Sequence, residues 1–136
     1  DPETVVGDRV TALKTLRRDL GAHLAAGLGA AHTPLGKKPN PPAVVVGSDA
    51  PYVVASSYCL DDVGFSVALI APPGDLDAVA DALDDMVDQV RATLRTTSPA
   101  GFKYRFVEVG GLIQYQHGDL TWPAVTASVH FDRESP

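Results

Sequence analysis

Cysteine occurs once in 136 residues, as Cys59. A single thiol excludes an internal disulfide framework and any zinc site built on clustered cysteines. Long apolar runs are also missing. None approaches the roughly 18 residues that a membrane-spanning helix needs, and the opening DPETVVGDRV holds no signal-peptide core. The expectation is a soluble domain that folds in the cytoplasm. Glycine (12) and proline (11) are frequent, yet their sum stays below the roughly 25–30% share of low-complexity chains. The signature motifs of common chemistries are absent. There is no H-E-x-x-H, no G-x-S-x-G, no G-x-G-x-x-G and no P-loop.

A chain of 136 residues points to one domain, residues 1–136, able to bury roughly 68% of its unfolded surface. Its net charge is -6, and the placement of that charge is uneven. Residues 1–42 hold six Lys/Arg against four acids, and residues 91–136 hold five against four. Residues 49–88 hold nine aspartates and no basic residue. Nucleic-acid affinity comes mainly from Lys and Arg neutralising phosphates, so this segment repels DNA. It reads either as a solvated helix face with loop aspartates or as a surface that stays near DNA without sticking to it.

Residues 3–28 predict a first helix, with Val6, Val10, Leu13, Leu16, Leu20 and Leu24 on one face. Gly21 and Gly27 each lower helix stability by about 1 kcal/mol relative to Ala, so its end is expected to fray anywhere from Leu20 to Gly29. Residues 29–42 (GAAHTPLGKKPNPP) form a proline-rich connector carrying Lys37 and Lys38. Strands are expected at 43–47, 52–58 and 63–71, with a Ser-Asp-Ala-Pro turn after the first and Leu60-Asp61-Asp62 as the turn before the third. Residues 75–96 give the clearest pattern. Asp75 is a good N-cap, Leu76, Val79, Leu83, Met86, Val87, Val90 and Leu94 form a stripe, and Arg91 and Arg95 complement the helix dipole. Strands follow at 102–109, 112–116 and 120–132. Gly110-Gly111 suits a two-residue hairpin turn and His117-Gly118-Asp119 a second turn. Pro123, which cannot donate to a ladder, demands an edge, a bulge or a late start. The predicted order is α-β-β-β-α-β-β-β. It describes an α+β, two-layer fold, a mostly antiparallel sheet covered by two amphipathic helices.

The residues offer little for catalysis. His23, His32, His117 and His130 pair with no other ligand at metal-binding spacing, and no metal site is expected. Cys59, beside a strand, reads as a small buried hydrophobe. Asp77, Asp81, Asp84, Asp85 and Asp88 lie on the second helix without the turning loop a calcium site needs, so they read as a solvated face. Lys14, Arg17 and Arg18 form one basic patch and Lys37 and Lys38 another. With no aromatic platform for single-stranded nucleic acid, these patches read as solvated or as a rim that meets an acidic partner. Tyr115 and Trp122 are candidate interface anchors, with core packing the commoner fate of each. No catalytic residue or cofactor is expected.

Four features carry a resemblance: an N-terminal helix ending in the connector around Pro39-Asn40-Pro41-Pro42, the strand block ending VGFSVALIAPPGD, the acidic helix DLDAVADALDDMVDQVRATL, and the segment VGGLIQYQHGDLTWPAVTASVHFD. Together they resemble the tail terminator (tail-completion, head-tail joining) proteins of long-tailed bacteriophages. The likeness spans nearly the whole chain and rests on size, element order and texture. It implies a structural protein and no enzyme. Copies of the chain form a ring, typically a hexamer, on the last ring of the tail tube. The ring stops tube growth, meets the head-side connector or stopper, and lets DNA pass through its lumen without specific binding. Its place would be the virion neck, after assembly in the host cytoplasm. On this reading Lys37, Lys38, Asp61, Asp62, Tyr115 and Trp122 are candidate ring or partner contacts. Asp81, Asp84, Asp85 and Asp88 are the candidate lumen or acidic face. The alternatives are another neck or minor tail component, such as a head-completion stopper, or a small α+β binding module.

Overall fold

In the computed structural model, residues 12–57, 59–96 and 104–134 are described. The first helix, α1 (Leu13–Leu28), buries Leu16, Leu20 and Leu24 completely, one every turn. Ala12 ahead of it is extended (φ -62°, ψ 144°), so this helix begins at Leu13. The expected turns through Val6 and Val10 lie outside the described residues. The far end lies at the outer limit of the expected range. Gly29 takes the left-handed conformation (φ 64°), its N–H bonds to Ala26 O, and Ala30 N–H bonds to Ala25 O at 2.9 Å. The internal glycines are there for close approach. A Cβ on Gly21 would collide with the His32 imidazole, and one on Gly27 with the Thr93 side chain.

The connector contains a strand that its composition hides. β1 (Ala31–His32) runs parallel to the start of β2 (Ala43–Ser57). The bonds Ala31 N–H to Pro42 O and Thr33 N–H to Val44 O tie it down. The strands expected at 43–47 and 52–58 are one element, β2. In place of the predicted turn, the pairing of β2 with β3 (Leu60–Ile70) jumps from Ser48↔Phe65 to Val53↔Val63. Four residues of β2 therefore oppose Gly64 alone, an enlarged bulge. Ser57 pairs with Leu60, so the chain reverses before Leu60. Asp61 and Asp62 belong to β3 and not to a turn.

After β3, Asp75 caps α2 (Leu76–Thr96), its Oδ1 accepting from Ala78 N–H at 3.0 Å. Leu83, Met86, Val90 and Leu94 are the buried stripe. β4 (Tyr104–His117) and β5 (Leu120–Glu134) form a long hairpin. Gly110 and Gly111 do not turn the chain. Neither has a positive φ, and the two together oppose Thr126 between the pairs Val109↔Ala127 and Leu112↔Val125. They make a bulge because β5 is long enough to pair on both sides of them. The true turn is Gly118-Asp119, with φ 58° at the glycine, the pattern of a primed two-residue turn. Pro123 pairs with Gln114 on β4 and lies one residue beyond the last β3–β5 pair, Ile70↔Ala124. Its missing N–H thus falls where β5 is locally an edge.

The sheet order is β1-β2-β3-β5-β4, parallel only between β1 and β2. The fold is α+β, as the sequence predicts. Both helices cover one face of the sheet, where Leu16, Leu20, Leu24, Leu83 and Leu94 meet Val44, Val67, Leu69 and Val129. Phe65 stands at the centre of this core, edge-on to Tyr52 at 5.8 Å and to Phe131 at 6.1 Å between ring centroids. A smaller apolar cluster occupies one end of the opposite face, where Ala43, Val45, Ala68, Ile70 and Ala124 pack with Trp122. No helix among the described residues is long and apolar enough to cross a membrane.

Candidate functional surfaces

Alternation along β3 and β5 sorts the polar residues of this sheet. Asp61 and Arg133 face the helices, whereas Asp62, Ser128 and His130 face the opposite side. Arg133 donates to Asp61 Oδ2 at 2.9 Å, and the two side chains are only 9% and 11% exposed. The candidate contact Asp61 is therefore spent inside the subunit. Its neighbour Asp62 holds His130, with Oδ1 3.1 Å from Nδ1. The other ring nitrogen, Nε2, lies 3.3 Å from Asp49 Oδ2 at the β2 bulge. Gly64 makes room for this clamp, since a Cβ there would sit 2.8 Å from His130 Cε1.

A carboxylate only accepts, so a ring held between two carboxylates is fully satisfied when both nitrogens carry protons. The Ser128 side chain hydrogen-bonds Asp49. Both ring nitrogens face carboxylates. Burial pushes the Asp49 carboxyl up, but the Ser128 hydroxyl, the Ala50 N–H and His130 outweigh it and hold it below the ordinary aspartate range. Nothing in the local sequence announces this cluster, because its members come from three strands. The one legible signal is that Ser128 and His130 share the polar side of an alternating strand.

The remaining candidates separate cleanly. Trp122, 8% exposed, and half-buried Tyr115 pack in the smaller apolar cluster as facing residues of β5 and β4. Within the chain Trp122 belongs to the core, and Tyr115 packs against it half-buried. Lys37 and Lys38 are exposed on the loop between β1 and β2. Asp77, Asp81, Asp84, Asp85 and Asp88 are all exposed on α2. Cys59 is exposed in the turn between β2 and β3, which corrects its reading as a buried hydrophobe. Among the described residues, no three His, Cys, Asp or Glu side chains converge as metal ligands.

Two grooves lie at opposite edges of the sheet. One, about 390 Å³, is apolar and runs between the start of α2 and β4, lined by Leu76, Leu83, Leu112, Ile113 and Pro123. Leu76 is 79% exposed and Leu112 68%. The other, about 570 Å³, lies between α1 and the β1–β2 edge, lined by Arg17, Arg18, His32, Leu35 and Val46. Burial pushes the His32 imidazole down from its usual range. Sequence reading missed both grooves, since each is assembled from segments distant along the chain. Neither a protein-family model nor a curated protein matches the chain.

Proposed function

We propose that this chain is a tail terminator of a long-tailed phage. Copies close into a ring of six on the last ring of the tail tube, stop tube growth and present a surface to the head-side connector. The chain works in the virion by shape and charge, with the genome passing through the ring.

The observation that carries this reading is the sheet's unfinished margin. β4 is a 14-residue edge strand whose exposed side chains include Val109, Leu112 and Ile113, and an apolar groove runs beside it. Natural edge strands are usually shortened, charged or covered. A long apolar edge is the form that a surface takes when another chain completes it. The acidic α2 face adds to the argument. Repeated around a ring, its exposed aspartates would repel phosphate and leave DNA free to slide.

The test is tube assembly. Purified chain added to the cognate tube protein should end polymerisation, and electron micrographs should show six-fold rings on tube ends. Tubes that lengthen equally with and without the chain, and bare tube ends, would reject the reading.

A further inference from the structure

We infer that the groove between α1 and the β1–β2 edge docks an acidic segment of a partner protein, one that carries an aliphatic side chain flanked by carboxylates. Such docking goes beyond ring closure and does not depend on it.

Separate stretches of chain build the groove. α1 contributes Arg17 and Arg18, β1 contributes His32, and Leu35 and Val46 come from the loop and strand that follow. Val46 is almost fully buried, whereas Leu35 is 54% exposed. The chain thus leaves apolar surface uncovered beside a cationic helix face. Gly21 lets the His32 imidazole lie against α1, where any Cβ would collide with it. A glycine inside a helix costs conformational entropy, so this close seat comes at the helix's expense. The loop is held on both sides of Leu35. Thr33 and Pro39 are buried, and Thr33 N–H bonds to Val44 O at 2.9 Å. Between them Lys37 N–H bonds to Pro34 O at 3.2 Å across Gly36 (φ 78°), the positive-φ glycine of a type II turn. Exposed Lys37 and Lys38 follow directly. A loop already fixed in this way loses little freedom when a partner binds.

The cations around the groove are unspent. Arg133 is committed to Asp61. By contrast, among the described residues Arg17, Arg18, Lys37 and Lys38 have no carboxylate within ion-pair distance. Burial holds His32 below its usual range, so near neutral pH the positive charge is that of these lysines and arginines. Guanidinium forks match carboxylates in geometry. Cations divided between the helix and the loop exceed what one small anion engages. The apolar surface of Leu35 and Val46 contributes nothing to a bare phosphate, yet it seats an aliphatic side chain. Nucleic acid fits poorly. Among the described residues no Phe, Tyr or Trp lines the groove as a stacking platform, and Asp19 stands in its wall. A protein segment with carboxylates on both sides of an aliphatic residue uses all of these features.

Fluorescence anisotropy of labelled peptides on the full chain tests this. The probes are EDLDE, EDSDE and KKLKK. EDLDE should bind saturably and more weakly as salt is added, and KKLKK should not bind. EDSDE should bind about tenfold more weakly than EDLDE, because serine leaves the apolar surface unfilled. Arg17→Gln with Arg18→Gln, with folding checked by circular dichroism, should weaken EDLDE about tenfold. Leu35→Ser, at an exposed position, should erase the preference for EDLDE over EDSDE and keep the salt dependence. This second variant decides the matter even where the first does not fold. Absence of saturable EDLDE binding, equal binding of EDLDE and EDSDE to the parent chain, or binding indifferent to both variants would overturn the inference. Displacement of EDLDE by an equal concentration of N-acetylleucine or of oligothymidylate would give the groove to a small acid or to nucleic acid, and overturn it likewise. Oligomers of the chain that shut EDLDE out, seen by native mass spectrometry, would give the groove to a second copy with the same consequence. EDLDE bound as expected by a chain that leaves tube ends bare rejects the ring reading alone.

Discussion

Replacing Asp61 by Leu separates a role inside the subunit from a role at a ring or partner contact. Its carboxylate receives Arg133 at 2.9 Å, with both side chains about nine-tenths buried. Leucine removes that carboxylate and leaves the guanidinium in the same low-dielectric place. Breaking a buried pair from one side typically destabilises by about 3–5 kcal/mol. For a chain of this size that corresponds to a fall in Tm of roughly 10–20 °C. The double variant Asp61→Leu, Arg133→Met replaces both charges with apolar groups and should recover most of the loss, because the desolvation of both ions disappears as well. Urea unfolding of the two single variants and the double variant closes the cycle. If Asp61→Leu unfolds within a few tenths of a kcal/mol of the parent while assembly alone suffers, the pair contributes nothing to the fold and this reasoning is wrong.

Asp49 makes stability depend on pH. Its folded pKa is depressed, so its contribution is complete above the unfolded value of about 3.9 and fades as pH falls through the lower folded value. Asp49→Asn should be less stable at neutral pH, and its deficit should close on acidification below about pH 4; a deficit that persists undiminished to pH 2 would contradict this account. Asp81, Asp84, Asp85 and Asp88→Asn removes like charges spaced three and four apart on an exposed face. Helix stability should hold or rise by up to about 1 kcal/mol while assembly or DNA passage is impaired. Equal Tm with normal tails and infectivity counts against the acidic face having a role. Lys37→Glu with Lys38→Glu, on an exposed loop, should leave Tm unchanged yet yield overlong or headless tails, and normal tail lengths would dismiss the loop as a contact.

The elements that could be read from sequence are those whose cause is local. α2 is legible because its cap, its stripe and its charge polarity all lie within one segment. Gly110-Gly111 reads as a turn in the sequence and is a bulge in the fold, because a glycine pair suits both and the choice depends on how far β5 extends beside it. Asp61-Asp62 looks like a turn only until Arg133 and His130, some seventy residues away in sequence, are brought across the sheet. β1 is two residues long and carries no period to detect. The candidate surfaces divide in the same way. The exposed aspartates of α2 follow from helical spacing, whereas the His130 clamp and both grooves need the sheet order.

The two hairpins of this sheet point in opposite directions. Ser57 and Leu60 lie level with Glu134, while His117 and Leu120 extend past the other end of β3. A cylinder made by repeating the subunit side by side is therefore a directed object. One mouth is fringed by the loops carrying Cys59, the other by those carrying Gly118 and Asp119. On the ring reading, a molecule that recognises one fringe would find nothing similar at the far mouth.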